Sequence, residues 1–445
     1  MALTSAAEPP VAEPFSFDDL PPGPTSSGVV QSLQWANRPL AYMQRARQAH
    51  GPVFTARLGP MRSVVFIADP AVAQAVFTGP ADVFHTGDIN GIFRPGLGSK
   101  SILLLDGEEH LRHRRMMLPL FQGRASTDRI PMFEQIARSE LERVPLGRPV
   151  KMLPVMHRIS LEAILLTLFG ATDPERYDRL RIRVPRMLDL CDTPAFLLPW
   201  LRYELGGRSG WGKVMQAVRD LDEALFEEIA IRRAGGVEGS DGLAQLMAAR
   251  DPDGHGLDDQ ALRDELVTLL GAGHETTSGA LAWAVERISR APEVADTLRR
   301  QEAVGDPSYT EATVKEALRR RPVLPIVGRT VIRDVEVAGL RLPRGAVAMP
   351  CVYLMHHEPS LYPDPYAFRP ERFLESSPPS YGWIPFGGGV RRCAGASFAT
   401  LEMEATLRVL LTSRRLVPIG RPEGMARRSV SMQPSRGAEV ALEAL

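Results

Sequence analysis

The chain has 445 residues and carries 53 Lys and Arg against 53 Asp and Glu, so its formal net charge is zero. Hydrophobic residues make up 44% of the chain and charged residues 24%. This balance supplies enough apolar side chains for a large core, and it excludes a disordered, collagen-like or disulfide-rich chain. It also excludes the excess basic charge that a nucleic-acid-binding face needs. We therefore predict a folded protein with no nucleic-acid partner.

The three cysteines, Cys191, Cys351 and Cys393, are too few for a disulfide framework and typical of a reducing compartment. The N-terminal residues lack a basic segment followed by an apolar stretch, so they do not resemble a signal peptide. The most apolar window, residues 161–170, is shorter than the roughly 18 residues that a membrane helix needs. These features predict a soluble, cytoplasmic protein without a membrane anchor, and we expect a monomer.

In chain order, residues 1–30 are rich in Pro, Ser and Ala, which predicts a flexible N-terminal segment. Over residues 51–76, Gly and Pro separate Val- and Phe-rich runs, a pattern that predicts a β-hairpin followed by a helix. From about residue 106 to 320 the pattern is mainly helical. Strand patterns return over 331–352, and a final helix follows Cys393. The sequence therefore predicts a mainly α fold with a small β region.

One predicted helix is unusually long. Nothing interrupts the helical pattern from Asp258, a favourable N-cap, to Arg290, a span of roughly 50 Å. Its middle, residues 271–277, reads Gly-Ala-Gly-His-Glu-Thr-Thr, and glycine and β-branched residues weaken a helix. Two interpretations are open. Either the glycines allow a neighbouring helix to pack closely, or the helix is distorted there and opens a groove in which Thr hydroxyls and backbone groups can contact a ligand.

The most specific motif is Phe386-Gly-Gly-Gly-Val-Arg-Arg-Cys393-Ala-Gly395, with the frame Phe-x-x-Gly-x-Arg-x-Cys-x-Gly. The glycines let backbone N–H groups approach the sulfur, and Arg391 adds a nearby positive charge; both effects lower the pKa of a thiol. A thiolate in such a loop can be a nucleophile or a metal ligand. Zinc would need further Cys or His ligands at short spacing, and a nucleophile would need a base, which this stretch does not designate.

This loop resembles the haem-binding signature of the cytochrome P-450 monooxygenases, in which the cysteine thiolate is the proximal iron ligand. The resemblance implies that Cys393 ligates the iron of haem b and that Phe386 and Gly387 belong to the cofactor-binding loop. It also implies the family's fold, a single large haem domain over residues 31–445. Cys191 and Cys351 lie in helical and strand-like segments, and we expect structural roles for them.

Two further motifs fit the family's order along the chain. Glu316-Ala-Leu-Arg319 resembles its Glu-x-x-Arg pair, which forms a buried ion network with an arginine that matches Arg372 and braces the haem loop. The resemblance therefore implies structural, not catalytic, roles for these three residues.

The second motif concerns the haem propionates. His110-x-x-x-Arg114 resembles the family's His-x-x-x-Arg helix, and Arg329 and Arg391 stand in matching positions elsewhere. Because guanidinium groups suit carboxylates, the resemblance implies that these four residues bind the propionates.

Residues 272–277 of the long helix match the family's pattern of a glycine, an acid and two hydroxyl residues. The resemblance implies that the Thr276 hydroxyl donates a hydrogen bond to dioxygen and that Glu275 feeds protons from solvent, a general-acid role. Relatives that use hydrogen peroxide commonly lack this pair, so the motif favours O₂ together with external electrons.

The resemblance implies a monooxygenase that hydroxylates a C–H bond or oxidises a double bond of a lipophilic molecule such as a fatty acid, terpenoid or steroid. Electrons from NAD(P)H are expected to arrive through a separate ferredoxin or flavodoxin and its reductase, because only 52 residues follow Cys393. Two alternatives stay open: a peroxygenase that uses H₂O₂, and a non-catalytic haem-binding protein. The residues expected to line the substrate pocket are Thr268, Ala272, Ile326, Val327 and Met432, together with the loop 87–101.

Overall fold

The computed structural model describes residues 15–59, 62–170, 173–204, 208–236 and 239–445. Helices account for 57% of the structure and strands for 11%. The predicted fold class, mainly α with a small β region, is therefore confirmed.

The helices are numbered in chain order. They are α1 (Gly28–Asn37), α2 (Pro39–His50), α3 (Pro70–Thr78), α4 (Gly87–Asn90), α5 (Arg94–Leu97), α6 (Gly107–Met117), α7 (Arg124–Thr127), α8 (Ile130–Glu142), α9 (Met152–Phe169), α10 (Pro174–Cys191), α11 (Pro194–Leu197), α12 (Gly210–Ala234), α13 (Gly242–Ala248), α14 (Asp259–Ser289), α15 (Pro292–Ala303), α16 (Ser308–Arg320), α17 (Val352–His356), α18 (Arg372–Glu375) and α19 (Ala396–Ser413).

The strands are numbered in the same way. They are β1 (Val53–Leu58), β2 (Arg62–Ile67), β3 (Phe84–His85), β4 (Pro149–Lys151), β5 (Arg329–Val331), β6 (Val335–Val337), β7 (Leu340–Leu342), β8 (Val347–Pro350), β9 (Arg414–Pro418), β10 (Met425–Arg428), β11 (Ser431–Pro434) and β12 (Glu439–Ala444).

Helix α14 runs through the centre of the helical body and packs against α9, α12, α16 and α19. It begins where predicted, because the Asp258 carboxylate accepts a hydrogen bond from the Ala261 N–H. The helix is continuous across residues 271–277, so the second of the two interpretations, a distorted helix, is not observed. A Cβ added at Gly273 would lie 3.1 Å from Ile164 of α9, and one at Gly271 would lie 3.2 Å from Leu188 of α10. The glycines therefore serve close helix packing.

The β region forms a second hydrophobic core. Its five-stranded sheet has the order β1-β2-β8-β5-β3, in which β2 and β8 are parallel and the other pairs antiparallel. The predicted hairpin and following helix are β1, β2 and α3. The turn of the β6–β7 hairpin places Ala338 and Gly339 at positive φ, where glycine is favourable. This sheet holds Arg329 at the start of β5, opposite Ala348.

The two ends of the chain can be compared with the sequence prediction only in part. The final helix is followed by strands that the sequence did not predict: β12 pairs with both β4 and β9, and β10 pairs with β11. In the predicted flexible segment, residues 1–14 lie outside the described residues. The remainder contacts the protein: the Phe15 N–H donates to Asp334 at 3.1 Å, and α1 already begins at Gly28.

Helix α9 is a longer apolar segment than the sequence prediction gave. Met152–Phe169 has 18 residues with a mean hydropathy of 1.5, long and apolar enough by composition to cross a membrane, and it extends beyond the predicted window 161–170. However, 67% of the helix is buried inside the protein, where it packs against α14. In this structure it is a core helix.

Candidate functional site

The cysteine loop runs from Phe386 to the start of α19. The Cys393 N–H donates to the Phe386 carbonyl at 2.9 Å, which closes the loop, and the Phe386 ring packs edge-on against Trp383. Gly389 has φ +63°, and a Cβ there would lie 1.8 Å from the Phe77 carbonyl oxygen. The loop can approach α3 this closely only with glycine at that position.

The Cys393 side chain lies in mixed surroundings. The residue is exposed by surface area, yet burial is the main cause that raises the pKa of its thiol. Both observations fit a sulfur that borders a space enclosed by the protein. A hydrogen bond from the Gly395 N–H and the charges of Arg114 and Arg392 oppose the effect of burial. Arg391, which was expected to lower this pKa, forms an ion pair with Asp106.

Four basic side chains from distant parts of the sequence converge near this thiol. His110 and Arg329 are each 3% exposed, and Gly107, His110, Arg329 and Arg391 line one pocket with Phe77. Burial, followed by the charges of Arg391, Arg114 and Arg329, lowers the pKa of His110 to about 3. The imidazole is therefore neutral near pH 7. The structure thus brings together the four residues that the sequence analysis assigned to the propionates.

Two arginines of this cluster have lowered pKa values. Burial and the charge of Arg391 lower the pKa of Arg329 to about 10, and Asp106 partly compensates. Burial likewise lowers the pKa of Arg391 to about 10. Buried cations at this density are favourable when anionic groups pair with them.

The Glu316–Arg319 pair on α16 is completely buried. Its guanidinium binds the carboxylate through two hydrogen bonds of 2.7 and 2.8 Å, and both side chains are 0% exposed. Arg372 adds an ion pair at 3.2 Å to the same carboxylate. Arg319 also donates to the carbonyls of His356 and Pro365. The network thus joins α16, α17 and the irregular segment before the cysteine loop.

Thr276 and Ala272 occupy one face of α14. Ala272 is exposed although the helix is buried along most of its length, so this face borders an open space. The Thr276 hydroxyl donates to the Ala272 carbonyl one turn earlier, at 2.6 Å. Its lone pairs remain free to accept, and donating to a ligand requires the hydroxyl to rotate away from Ala272.

Glu275 points to a different pocket, of about 170 Å³, that His157, Asp189, His274 and Arg428 also line. Arg428 of β10 lies 3.5 Å from the Glu275 carboxylate and also contacts Asp189 and Asp192 of α10. Burial raises the pKa of Glu275, and Arg428 partly opposes that shift. Arg428 could not be predicted as a partner of Glu275, because nothing local to β10 indicates a contact with α14.

The residues expected to line the substrate pocket are distributed over several elements. Thr268 is buried, and its hydroxyl contacts Ser101 at 2.7 Å and the Asp264 carbonyl at 2.7 Å. Ile326 and Val327 pack against the core of the β region. Met432 is 2% exposed, and its carbonyl accepts from Trp283 nearer the C-terminal end of α14. Of the five, Ala272 alone is exposed.

Comparison with known proteins gives one consistent result. The family model described as Cytochrome P450 matches residues 21–440. A Mycobacterium tuberculosis protein named "Putative cytochrome P450 135B1" is 37% identical over 439 residues, which cover 96% of this chain and 92% of that protein. The chain belongs to the cytochrome P450 family. Members of this family are in general haem monooxygenases, so this P450 is an oxidoreductase of that general type.

Further relatives of this P450 agree. A second Mycobacterium tuberculosis protein, "Putative cytochrome P450 138", is 33% identical over 444 residues and is covered to 98%. Among solved structures, "Retinoic acid bound cyanobacterial CYP120A1" superposes with a TM-score of 0.83 at 25% identity, covering 96% of this chain and 99% of that one. The family's fold is therefore shown over nearly the whole chain.

The residues of this P450 fit haem b, the cofactor that the family implies. A haem needs an axial ligand on iron and partners for two propionates. The structure offers a thiol that is exposed by surface area and, on separate elements, a cluster of four basic groups, of which His110 and Arg329 are buried, with one paired acid, Asp106. Cys393 would hold the iron, and His110, Arg114, Arg329 and Arg391 would hold the propionates.

Proposed function

We propose that this protein is a haem-thiolate monooxygenase that inserts one atom of O₂ into a C–H bond or a double bond of a lipophilic small molecule. The convergence of four basic side chains near Cys393 carries the proposal, because this donor set matches a dianionic iron porphyrin. When bound, the haem supplies the redox chemistry that activates O₂. The domain is proposed to extend over residues 31–445.

Cofactor binding is assigned to groups that are fixed before the cofactor arrives. Cys393 is held by the hydrogen bond to Phe386, and Gly387 has φ +67°, in the turn beside it. Arg329 is fixed by β5 and lies over the Phe77 ring at 5.4 Å. Preorganised donors lose little conformational entropy on binding. Glu316, Arg319 and Arg372 are proposed to support the loop without contacting the cofactor.

Proton delivery is assigned to Glu275 and Thr276. Because burial raises the pKa of Glu275, its carboxyl releases and regains a proton closer to neutral pH than an exposed one does. The Asp189 side chain at the edge of the same pocket is 65% exposed, which gives the carboxyl a route to solvent. The Thr276 hydroxyl lies on the neighbouring face, where it would position the proton donor for the reacting oxygen.

A lipophilic substrate is favoured by the apolar residues among those expected to line the pocket. Ala272, Ile326 and Val327 are apolar, and the hydroxyl of Thr268 is already bonded within the protein. The structural neighbour binds retinoic acid, a lipophilic carboxylic acid. A fatty acid, terpenoid or steroid-like molecule is therefore the proposed substrate class, with a C–H or C=C bond facing the cofactor.

Electrons are proposed to come from NAD(P)H through a separate ferredoxin or flavodoxin and its reductase, in the cytoplasm. Arg392 is exposed one position before the thiol, and it gives an acidic partner a cationic contact close to the cofactor. The protein is proposed to act as a soluble monomer.

The test is turnover of the haem-loaded protein with lipids that first shift its Soret band on binding. Product is measured with NADPH plus a ferredoxin and its reductase, and separately with H₂O₂ alone. Product that depends on NADPH and O₂ is expected. Product with H₂O₂ alone would make it a peroxygenase, and no product with any bound lipid would leave a non-catalytic haem protein.

A further inference from the structure

Asp106 occupies the N-cap position of α6 without capping it. Asp is a preferred N-cap because its carboxylate accepts hydrogen bonds from the first backbone N–H groups of the helix. Here, within the described residues, the side chain makes no such bond. The Asp106 carboxylate is therefore available for partners outside α6.

The two carboxylate oxygens instead join two other parts of the molecule. The Thr86 N–H donates to Oδ1 at 2.8 Å, and the Gly87 N–H donates to Oδ2 at 2.9 Å. On the other side, the carboxylate forms an ion pair with Arg391 of the cofactor-binding loop. Gly87 is the first residue of the loop 87–101, which is expected to contact substrate, and Thr86 directly precedes it. Asp106 therefore touches both the substrate loop and the propionate cluster.

The contact with the loop is sterically tight. Gly87 is buried, and a Cβ there would lie 2.3 Å from the Leu104 carbonyl oxygen and 2.6 Å from Oδ2 of Asp106. A side chain at this position would push the loop away from the carboxylate. The close approach needs glycine.

The far end of the loop is anchored independently. The Lys100 N–H donates to the buried Asp264 carboxylate at 2.9 Å, and Arg263 donates to the Gly96 and Leu97 carbonyls. Arg263 and Asp264 belong to α14. The loop is thus fixed to α14 at one end and, through Asp106, to Arg391 at the other.

We propose that Asp106 is a positioning residue that couples the substrate loop to the cofactor's carboxylate-binding cluster. Its carboxylate orients the Arg391 guanidinium and holds the start of the loop at the same time, so displacement of either partner weakens the other. Loop closure over substrate and retention of the haem are then linked properties. This inference rests on the proposed function, in which Arg391 binds a propionate.

The first test changes the carboxylate in the haem-loaded protein. Asp106→Asn is expected to speed both haem transfer to excess apomyoglobin and hydrogen exchange of the Thr86 and Gly87 amides, by about tenfold each, the effect of weakening one charge-assisted hydrogen bond. The control is Asp82→Asn, which removes an exposed carboxylate, 70% accessible and paired with Arg333. It should change neither rate.

The second test displaces the loop without changing any charge. Gly87→Ala is expected to speed haem transfer as well as amide exchange, although Gly87 does not contact the cofactor cluster directly. Gly91→Ala is the matched control, because a Cβ at Gly91 meets no atom within 4 Å. This variant pair keeps the inference testable if Asp106→Asn folds poorly.

Three results would overturn the inference. Faster exchange with an unchanged rate of haem transfer would mean that Asp106 holds the loop alone. Slower haem transfer in Asp106→Asn would mean that Asp106 competes with the propionates for Arg391. Equal effects in the controls would mean a general loosening. None of these readouts uses turnover, so failure of the proposed monooxygenase activity would be seen separately.

Discussion

At the scale of single residues, the surroundings of two side chains alter what an ordinary group can do. Thr276 is a common helical threonine that bonds its own helix, and it lies one turn after Ala272, which is exposed in the middle of this core helix. Glu402 is a carboxyl group in the core of α19 with 0% exposure. Each leads to a measurable prediction.

Thr276→Ala should separate oxygen chemistry from folding. Alanine suits a helix, so haem content and substrate binding should persist. The positioned hydroxyl is lost, so product per NADPH consumed should fall severalfold while H₂O₂ rises. Product and H₂O₂ are quantified against NADPH in the same reactions.

Thr412→Ala is the control, because the Thr412 hydroxyl makes the same bond to a carbonyl one turn earlier, on the exposed surface of α19. Glu275→Gln should instead slow NADPH consumption itself, since the proton source is removed. An unchanged product yield in Thr276→Ala would exclude the proposed role of its hydroxyl.

Glu402 makes stability depend on pH. Its Oε1 lies 2.5 Å from the Ser160 hydroxyl, its Oε2 has no partner among the described residues, and burial raises the pKa to about 8. A carboxyl whose pKa is raised by folding stabilises the protein fully below its unfolded pKa of 4.5, and this contribution is lost as pH rises through about 8.

As pH rises from 5 to 9, the free energy of unfolding of Glu402→Gln should therefore fall less than that of the wild type. The difference should be a few kcal/mol, since one pKa unit corresponds to about 1.4 kcal/mol. Urea unfolding at several pH values measures this difference. The control is Glu223→Gln, since that side chain is 74% exposed. Parallel pH curves for Glu402→Gln and the wild type would show that Glu402 is not the responsible group.

At the scale of elements, most features that depend on local sequence signals could be predicted, whereas pairings between distant segments could not. The start of α14 at Asp258 and the β1–β2 hairpin follow from capping and alternation, which act within a few residues. The β10–β11 hairpin is local and was nonetheless missed. The pairing of β12 with β4 was missed because the two strands lie far apart in sequence. The ion pair of Glu275 with Arg428 was missed for the same reason. The contacts of Asp106 with the substrate loop and with Arg391 were missed because its position suggests an N-cap instead.

The ion network that joins α16 to the segment before the cysteine loop gives a prediction at this scale. Arg319→Ala would leave the Glu316 carboxylate buried with one partner fewer, which typically costs about 3–5 kcal/mol. We expect a clearly lower Tm and little haem-loaded protein, measured by thermal unfolding and by the ratio of haem to protein.

Arg143→Ala is a matched control, because Glu140 and Arg143 have the same spacing at the C-terminal end of α8. The Arg143 side chain is 61% exposed, and Glu140 keeps Arg158 as a partner. Its removal should change stability by at most about 1 kcal/mol. Equal behaviour of the two variants would mean that burial of the α16 pair contributes nothing.

At the scale of the whole molecule, two hydrophobic cores meet around the proposed cofactor site. The helical core contributes α14 and the loop before α19, and the β core contributes Arg329 and Phe77. His113 of α6 bonds Glu265 of α14 inside the protein at 2.7 Å, which ties the helix that carries His110 to the central one. A haem would therefore contact elements from both cores, and its loss should destabilise the entire fold.

The central claim is that Cys393 ligates haem iron as a thiolate. The most direct measurement is the absorption spectrum of the reduced protein with carbon monoxide, since thiolate ligation gives a strongly red-shifted Soret band. The wild type is expected to show that band, and Cys393→Ala is expected to lose it, whereas Cys191→Ala should keep it. A red-shifted band that survives in Cys393→Ala would contradict the assignment.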